Sequence, residues 1–145
     1  CGAPMDYLTD LSYGTQMMET LARLPNVDYR GRVPPEEADQ VIADAAVLLC
    51  TSDEEGFPNT FTQAWSSGTP IVTLTVDPDN LIKKKMLGVV SGSVNDAAKD
   101  IRTLMASSNQ REEIGVRARQ HISENHNPAV IVGVFAHALG GGLQS

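Results

Sequence analysis

Three consecutive carboxylates, Asp53, Glu54 and Glu55, stand directly before a Gly56-Phe57-Pro58-Asn59 turn, and a helical pattern begins inside that turn. An apolar run, 45–50, precedes the group, and a second, 70–74, follows the helical pattern. The first amides of a helix have no intrahelical acceptor and can hold an anion the size of a phosphate. Here those amides are the ones near Asn59, Thr60 and Phe61. Pro58 has no N–H to give, but its fixed φ suits a helix start. A carboxylate beside such a site repels a phosphate, so Glu55 needs another task. An ionised carboxylate only accepts hydrogen bonds, and sugar hydroxyls attached beyond a phosphate would supply the donors. Gln63 lies one turn on from Asn59, on the same helical face, and reaches back with a neutral group that both donates and accepts. The competing reading is a solvated acidic loop ahead of a capped helix, and the residues alone leave both standing.

These side chains need a scaffold that brings strand ends and helix starts together. The run 45–50 continues into Thr51 and Ser52 and reads as a parallel-sheet strand buried on both faces. A helix follows over Asn59–Ser67, with Phe61, Ala64 and Trp65 on its apolar face and Gly68 and Pro70 as stop and turn. The next strand is 70–76, and 87–92 reads as a short last strand. Upstream, apolar positions at helical spacing run from about Met5 to Leu24. Val27 and Tyr29 alternate with polar neighbours as a strand over 27–33. A helix then starts at Pro34-Pro35 with Glu36, Glu37 and Asp39 near its positive end. Three helices close the chain, over 94–107, 109–126 and 127–139, with cap chemistry around Asn95 and Asn109. Strands alternating with helices predict an α/β fold with a doubly wound parallel sheet. In such sheets ligands bind beyond the carboxyl ends of the strands, where residues 51–60 fall.

Composition narrows the function. The chain has 145 residues, 41% apolar and 20% charged, and a net charge of −7. That size is one domain, able to bury roughly 70% of its unfolded surface. The acidic balance argues against nucleic acid and against a membrane-surface helix, which is usually basic. No apolar run reaches the ~18 residues of a membrane span. The two cysteines, Cys1 and Cys50, make no disulfide framework and point to a reducing cytoplasm. His121, His126 and His137 lack metal-ligand spacing, and the lysines at 83–85 read as a solvated basic turn. There is no Gly-x-Ser-x-Gly elbow and no Gly-x-Gly-x-x-Gly loop. The chain opens at a turn-like Cys1-Gly2-Ala3-Pro4 and enters a helical pattern at once. A doubly wound sheet ordinarily starts with a strand, so the expectation is an excised piece whose first strand lies upstream.

The segment EEGFPNTFTQAWSSGTPIV, residues 54–72, resembles the donor-site signature of retaining nucleotide-sugar glycosyltransferases of the GT-B fold, the group 1 or family 4 type. The likeness extends upstream through NVDYRGRVPPEEADQVIADAAVLLCTS and downstream through the terminal helices. It implies a Rossmann-like sheet forming the C-terminal, donor-binding half of that fold over residues 1–139, with 140–145 a flexible tail. It implies that Glu55 contacts the transferred sugar, that Gly56 and Phe57 bring backbone close to it, and that the Asn59 and Thr60 amides hold the diphosphate. Gln63 stands where the family has a ribose-binding Glu. Arg32 and Val33 would lie beside the base, and Ser52 would shape the pocket floor.

The resemblance further implies hexosyl transfer from a UDP- or GDP-type donor to an acceptor hydroxyl, with retention and without a metal or other cofactor. Three departures accompany it: Gln63 for Glu, Pro58 for Gly, and no counterpart of the family's upstream Arg and Lys, which would precede Cys1. The implied partners are the nucleotide-sugar donor and an N-terminal acceptor-binding domain. Peripheral membrane association of the parent stays open, and the isolated chain is expected to be inactive. A different class is a nucleotide- or phosphosugar-binding module without catalysis. A response-regulator-like domain is poorly served, because the acidic cluster has no placed lysine.

Overall fold

The computed structural model describes residues 11–126. Contacts divide the chain between Gln40 and Val41 into two units. In the first, α1 (Leu11–Arg23) ends at a turn through Pro25 and Asn26, and α2 (Pro35–Asp44) begins after Pro34. The strand expected over 27–33 does not form. Residues 27–30 form no regular element and have no ladder partner among the described residues. Alternation of Val27 and Tyr29 supplies only local β propensity, and a strand exists by pairing. A short Arg30–Asp28 ion pair (2.8 Å) and a left-handed Gly31 (φ 60°) bend this segment instead. The part of the expected first helix before Leu11 lies outside the described residues.

The second unit is built on a parallel sheet. Its strands are β1 (Leu48–Cys50), β2 (Ile71–Thr73) and β3 (Gly88–Val90), in that order. Leu49 pairs with Val72, and Val72 with Val89. The central strand β2 is wholly buried, and its alternating side chains feed two cores. Ile71 packs on one face with Phe61, Ala64 and Trp65 of α3 (Asn59–Ser67), Ile82 of α4 (Leu81–Lys85) and Ala118 of α6 (Ser108–Asn125). Val72 packs on the other with Ala97 and Leu104 of α5 (Val94–Ala106) and Ile114 of α6. Helices therefore cover both sheet faces, as the alternation of elements requires.

The strand β1 corrects an expectation. It is not buried on both faces: Leu48 and Cys50 pack against the core, whereas Leu49 is 46% exposed. As an end strand of the described sheet, β1 has β2 on one side only. The lysines at 83–85 are exposed as expected, but they continue a short helix started by Leu81 and Ile82. The caps of α5 and α6 are Ser93 and Ser107, each accepting from the amide three residues on, two residues before the asparagines expected there. The expected helix over 127–139, the tail 140–145, Cys1 and His137 lie outside the described residues.

The stop of α3 matches its sequence signal. Gly68 takes the left-handed conformation (φ 79°), and the amides of Gly68 and Thr69 close on Trp65 and Ala64 carbonyls. A β-carbon there would face backbone strain, and it would also collide with the Arg119 guanidinium, which lies over Gly68. Pro70 then leads directly into β2. The chain is thus forced from the end of α3 back along the sheet, which fixes where α3 begins relative to the end of β1.

Candidate functional site

The loops that leave β1 and β2 face each other across an open cleft of about 580 Å³. One wall is Asp53, Glu54, Glu55 and Gly56; the other is Thr75, Val76, Asp77 and Pro78. Both loops follow the carboxyl ends of parallel strands, the place where open α/β sheets bind ligands. None of the lining side chains is cationic, and four carry carboxylates.

The first wall is exposed and held by few bonds. The Ser52 hydroxyl donates to Glu55 Oε1 (2.8 Å). The Thr75 hydroxyl donates to the Asp53 carbonyl (3.0 Å) and lies 3.3 Å from that of Ser52, tying the first loop to the second. The second wall is anchored in the core. Val76 is buried among the α3 and α4 side chains. Asp77 Oδ1 accepts from the Ile82 amide (2.7 Å), closing the start of α4, while Asp77 Oδ2 is buried with no partner among the described residues.

Glu55 and Gly56 are the two expected site residues in the cleft lining. Ser52 lies one bond behind it, through its contact with Glu55. Asn59 and Thr60 do not line the cleft; they are exposed at the first turn of α3, three and four residues after the lining Gly56. The Phe61 amide is taken by the Pro58 carbonyl (3.0 Å), so the amides open to a ligand are those of Asn59 and Thr60. Gln63 sits half-buried one turn on. Phe57 is 43% exposed and turns back over the helix, edge-on to Trp65 with centroids 6.0 Å apart. Arg32 and Val33 belong to the first unit, in the bend before α2.

Sequence reasoning did not single out Thr75, Val76, Asp77 and Pro78. The available signal was their position, immediately after the second apolar run. Nor did it connect the turn with the end of α6. Trp65 is fully buried, its Nε1 donating to the Leu87 carbonyl (3.1 Å), and His121 stands perpendicular to it at 5.7 Å. His126 in turn meets His121 at 5.6 Å and Phe57 at 6.0 Å. Burial pushes the His121 imidazole below its ordinary range, and the nearby charges of His126 and Lys85 push the same way against Glu124.

Among the described residues no group of three or more His, Cys, Asp or Glu is placed to hold a metal ion, and no helix is long and apolar enough to cross a membrane. The family model described as Glycosyl transferases group 1 matches residues 10–107, which take in α1 to α5 and the whole cleft. No curated protein and no solved structure matches the chain.

Proposed function

The chain belongs to the group 1 glycosyl transferases, and from that membership we propose that it is the donor-binding part of a transferase, taking a UDP- or GDP-type sugar. The observation that carries this reading is the cleft at the strand ends, acidic on its walls, with the loop that forms one wall running straight into the first turn of α3. The two chemistries divide a nucleotide sugar between them. The carboxylates of the cleft accept hydrogen bonds from a polyhydroxylated sugar, Glu55 foremost, and Gly56 and Phe57 bring the backbone against it. The Asn59 and Thr60 amides meet the diphosphate, where the helix dipole adds its positive end. Gln63 takes the ribose, and Ser52 holds Glu55.

In the transfer itself the bond between the anomeric carbon and the diphosphate oxygen breaks, and an acceptor hydroxyl forms the new one. Charge builds on the leaving diphosphate, and preorganised amides stabilise it without reorganising. Glu55 contributes by holding the sugar so that the acceptor hydroxyl meets the anomeric carbon on the face the diphosphate leaves, its proton passing to the departing diphosphate oxygen. Retention of configuration, a hexosyl group and metal-independent transfer are the form of the reaction that the resemblance implies. Acceptor binding belongs to a further, N-terminal domain of the parent, so this chain by itself should show no transfer; turnover by the purified chain would refute that part. The absence of a cationic side chain from the cleft lining favours one second reading, a nucleotide- or phosphosugar-binding module without catalysis.

Calorimetric titration with UDP, GDP, ADP and the corresponding UDP- and GDP-sugars tests the donor reading. The expected result is saturable binding of one diphosphate, tighter for its sugar, and lost in Thr60→Pro while circular dichroism stays unchanged. Proline is tolerated in a first helical turn, so this variant removes the amide and spares the helix. Saturable binding that survives Thr60→Pro would move the diphosphate elsewhere. A folded chain that binds none of the ligands would overturn the donor reading.

A further inference from the structure

His121 and His126 take no part in the chemistry proposed above, yet their surroundings are built. His121 is 9% exposed, and its Nε2 is buried with no partner among the described residues. Its Nδ1 lies 3.1 Å from the Asn125 amide nitrogen, which also donates to the His121 carbonyl (2.9 Å). An amide nitrogen only donates, so Nδ1 is the acceptor and the ring is neutral, with its proton on Nε2. His126 closes the chain of rings, touching His121 on one side and Phe57 on the other. Phe57 adjoins Gly56 and is two residues from Glu55, both of which line the cleft.

We propose that His121 and His126 are positioning residues for the Glu55–Phe57 turn, holding Phe57 against Trp65 in the binding geometry only while His121 is neutral. The proposal rests on the donor-site reading given above. Protonating His121 puts a second proton on Nδ1 against the Asn125 amide nitrogen, which can turn its oxygen to the ring only by giving up its bond to the His121 carbonyl, and leaves a charge in a pocket walled by Trp65. The charged and titratable groups facing His121 are His126 and Glu124 from α6 and Lys85 from α4. Two of these repel an added positive charge, and among the described residues no carboxylate is hydrogen-bonded to the ring. The relief available is for the ring to tilt outward, which displaces His126 and with it the support of Phe57. The folded state lowers the affinity of His121 for a proton, so its contribution to stability is complete above the ordinary imidazole value of about 6.5 and is lost as pH falls from there through the lower value of the folded state.

The full chain, labelled with fluorophenylalanine, tests this by ¹⁹F NMR beside calorimetry with the tightest-binding diphosphate. The Phe57 resonance is assigned by Phe57→Leu, and folding is followed by circular dichroism throughout. Emission of Trp65, the only tryptophan in the chain, reports His121, because a protonated imidazole at 5.7 Å quenches indole. As pH is lowered stepwise from about 8, through the ordinary imidazole value of about 6.5 and on below it to the limit at which circular dichroism still reports a folded chain, the wild-type Phe57 resonance should shift, Trp65 emission should fall, and affinity should weaken by about threefold to tenfold, the size of one aromatic pair. His126→Ala should show the displaced resonance and weak affinity at every pH. His121→Asn keeps an acceptor for Asn125 and does not titrate, so it should remove the pH response. His121→Phe provides the same control with the ring retained. A Phe57 resonance and affinity that ignore both pH and His126→Ala would overturn the proposal, as would a pH response that persists in both His121 variants. If no diphosphate binds at any pH while the resonance still responds, the donor reading fails and the positioning of the turn stands.

Discussion

The two walls of the cleft are made in opposite ways. The wall after β1, Asp53 to Gly56, is exposed along its length and carries the side chains with evident chemistry. The wall after β2, Thr75 to Pro78, carries little of that chemistry and is fastened to the fold by Val76 in the core and by Asp77 at the start of α4. One loop presents and the other braces, and the Thr75 hydroxyl joins them. A site of this kind can vary its presenting loop at small cost to folding, because the reference surface against which the ligand is aligned belongs to the core. Stability and binding should therefore separate between the two walls.

The largest effect is expected beneath both. Trp65 is the biggest fully buried side chain; it supports Phe57 from below and bonds the Leu87 carbonyl just before β3. Trp65→Ala should cost about 3–5 kcal/mol, read as a fall in the urea midpoint at unchanged slope. A loss under about 1 kcal/mol would mean that the core does not carry the walls. Next comes the bracing wall. Asp77→Ala leaves the Ile82 amide without its acceptor and should cost about 1–2 kcal/mol, whereas Asp77→Asn keeps an acceptor oxygen and should recover most of it. Equal loss in both variants would place the value of Asp77 in its charge. Thr75→Val, which cuts the tie between the loops, should cost about 1 kcal/mol in the same urea measurement.

The same contrast governs how much could be read from the sequence. The helix α3 was legible to the residue, because its start, stop and buried face are local signals: Pro58, Gly68, and Phe61 with Ala64 and Trp65 at helical spacing. The presenting wall was legible for a related reason, since its carboxylates and turn are contiguous in the chain. The bracing wall was not, because Thr75 and Asp77 become cleft residues only through the parallel register of β1 on β2. The five-residue α4 is shorter than the window in which helical periodicity can be seen. The expected strand at 27–33 failed for the converse reason: alternation of Val27 and Tyr29 was present, but no ladder formed. The ring contacts from Phe57 to His126 and His121 join distant parts of the chain, and no spacing rule encodes them.

The smallest effect on stability belongs to the residue with the largest proposed role. Glu55 is exposed and accepts a hydrogen bond from the Ser52 hydroxyl. Glu55→Ala should leave the urea midpoint within about 0.5 kcal/mol of the parent, as surface substitutions do. Its effect should appear in the difference between ligands. A nucleotide sugar should lose about 1.5–3 kcal/mol of binding, the scale of hydrogen bonds to a charged group, while the diphosphate without its sugar should bind as before or slightly tighter, freed of a repelling carboxylate. Calorimetry of both ligands against one variant reads this directly. Equal losses for the two would place Glu55 on the diphosphate side, where its charge is unfavourable, and would remove the division of the ligand between acidic wall and helix amides. A loss confined to the sugar-bearing ligand, in a variant as stable as the parent, would leave the presenting wall with recognition and the bracing wall with alignment.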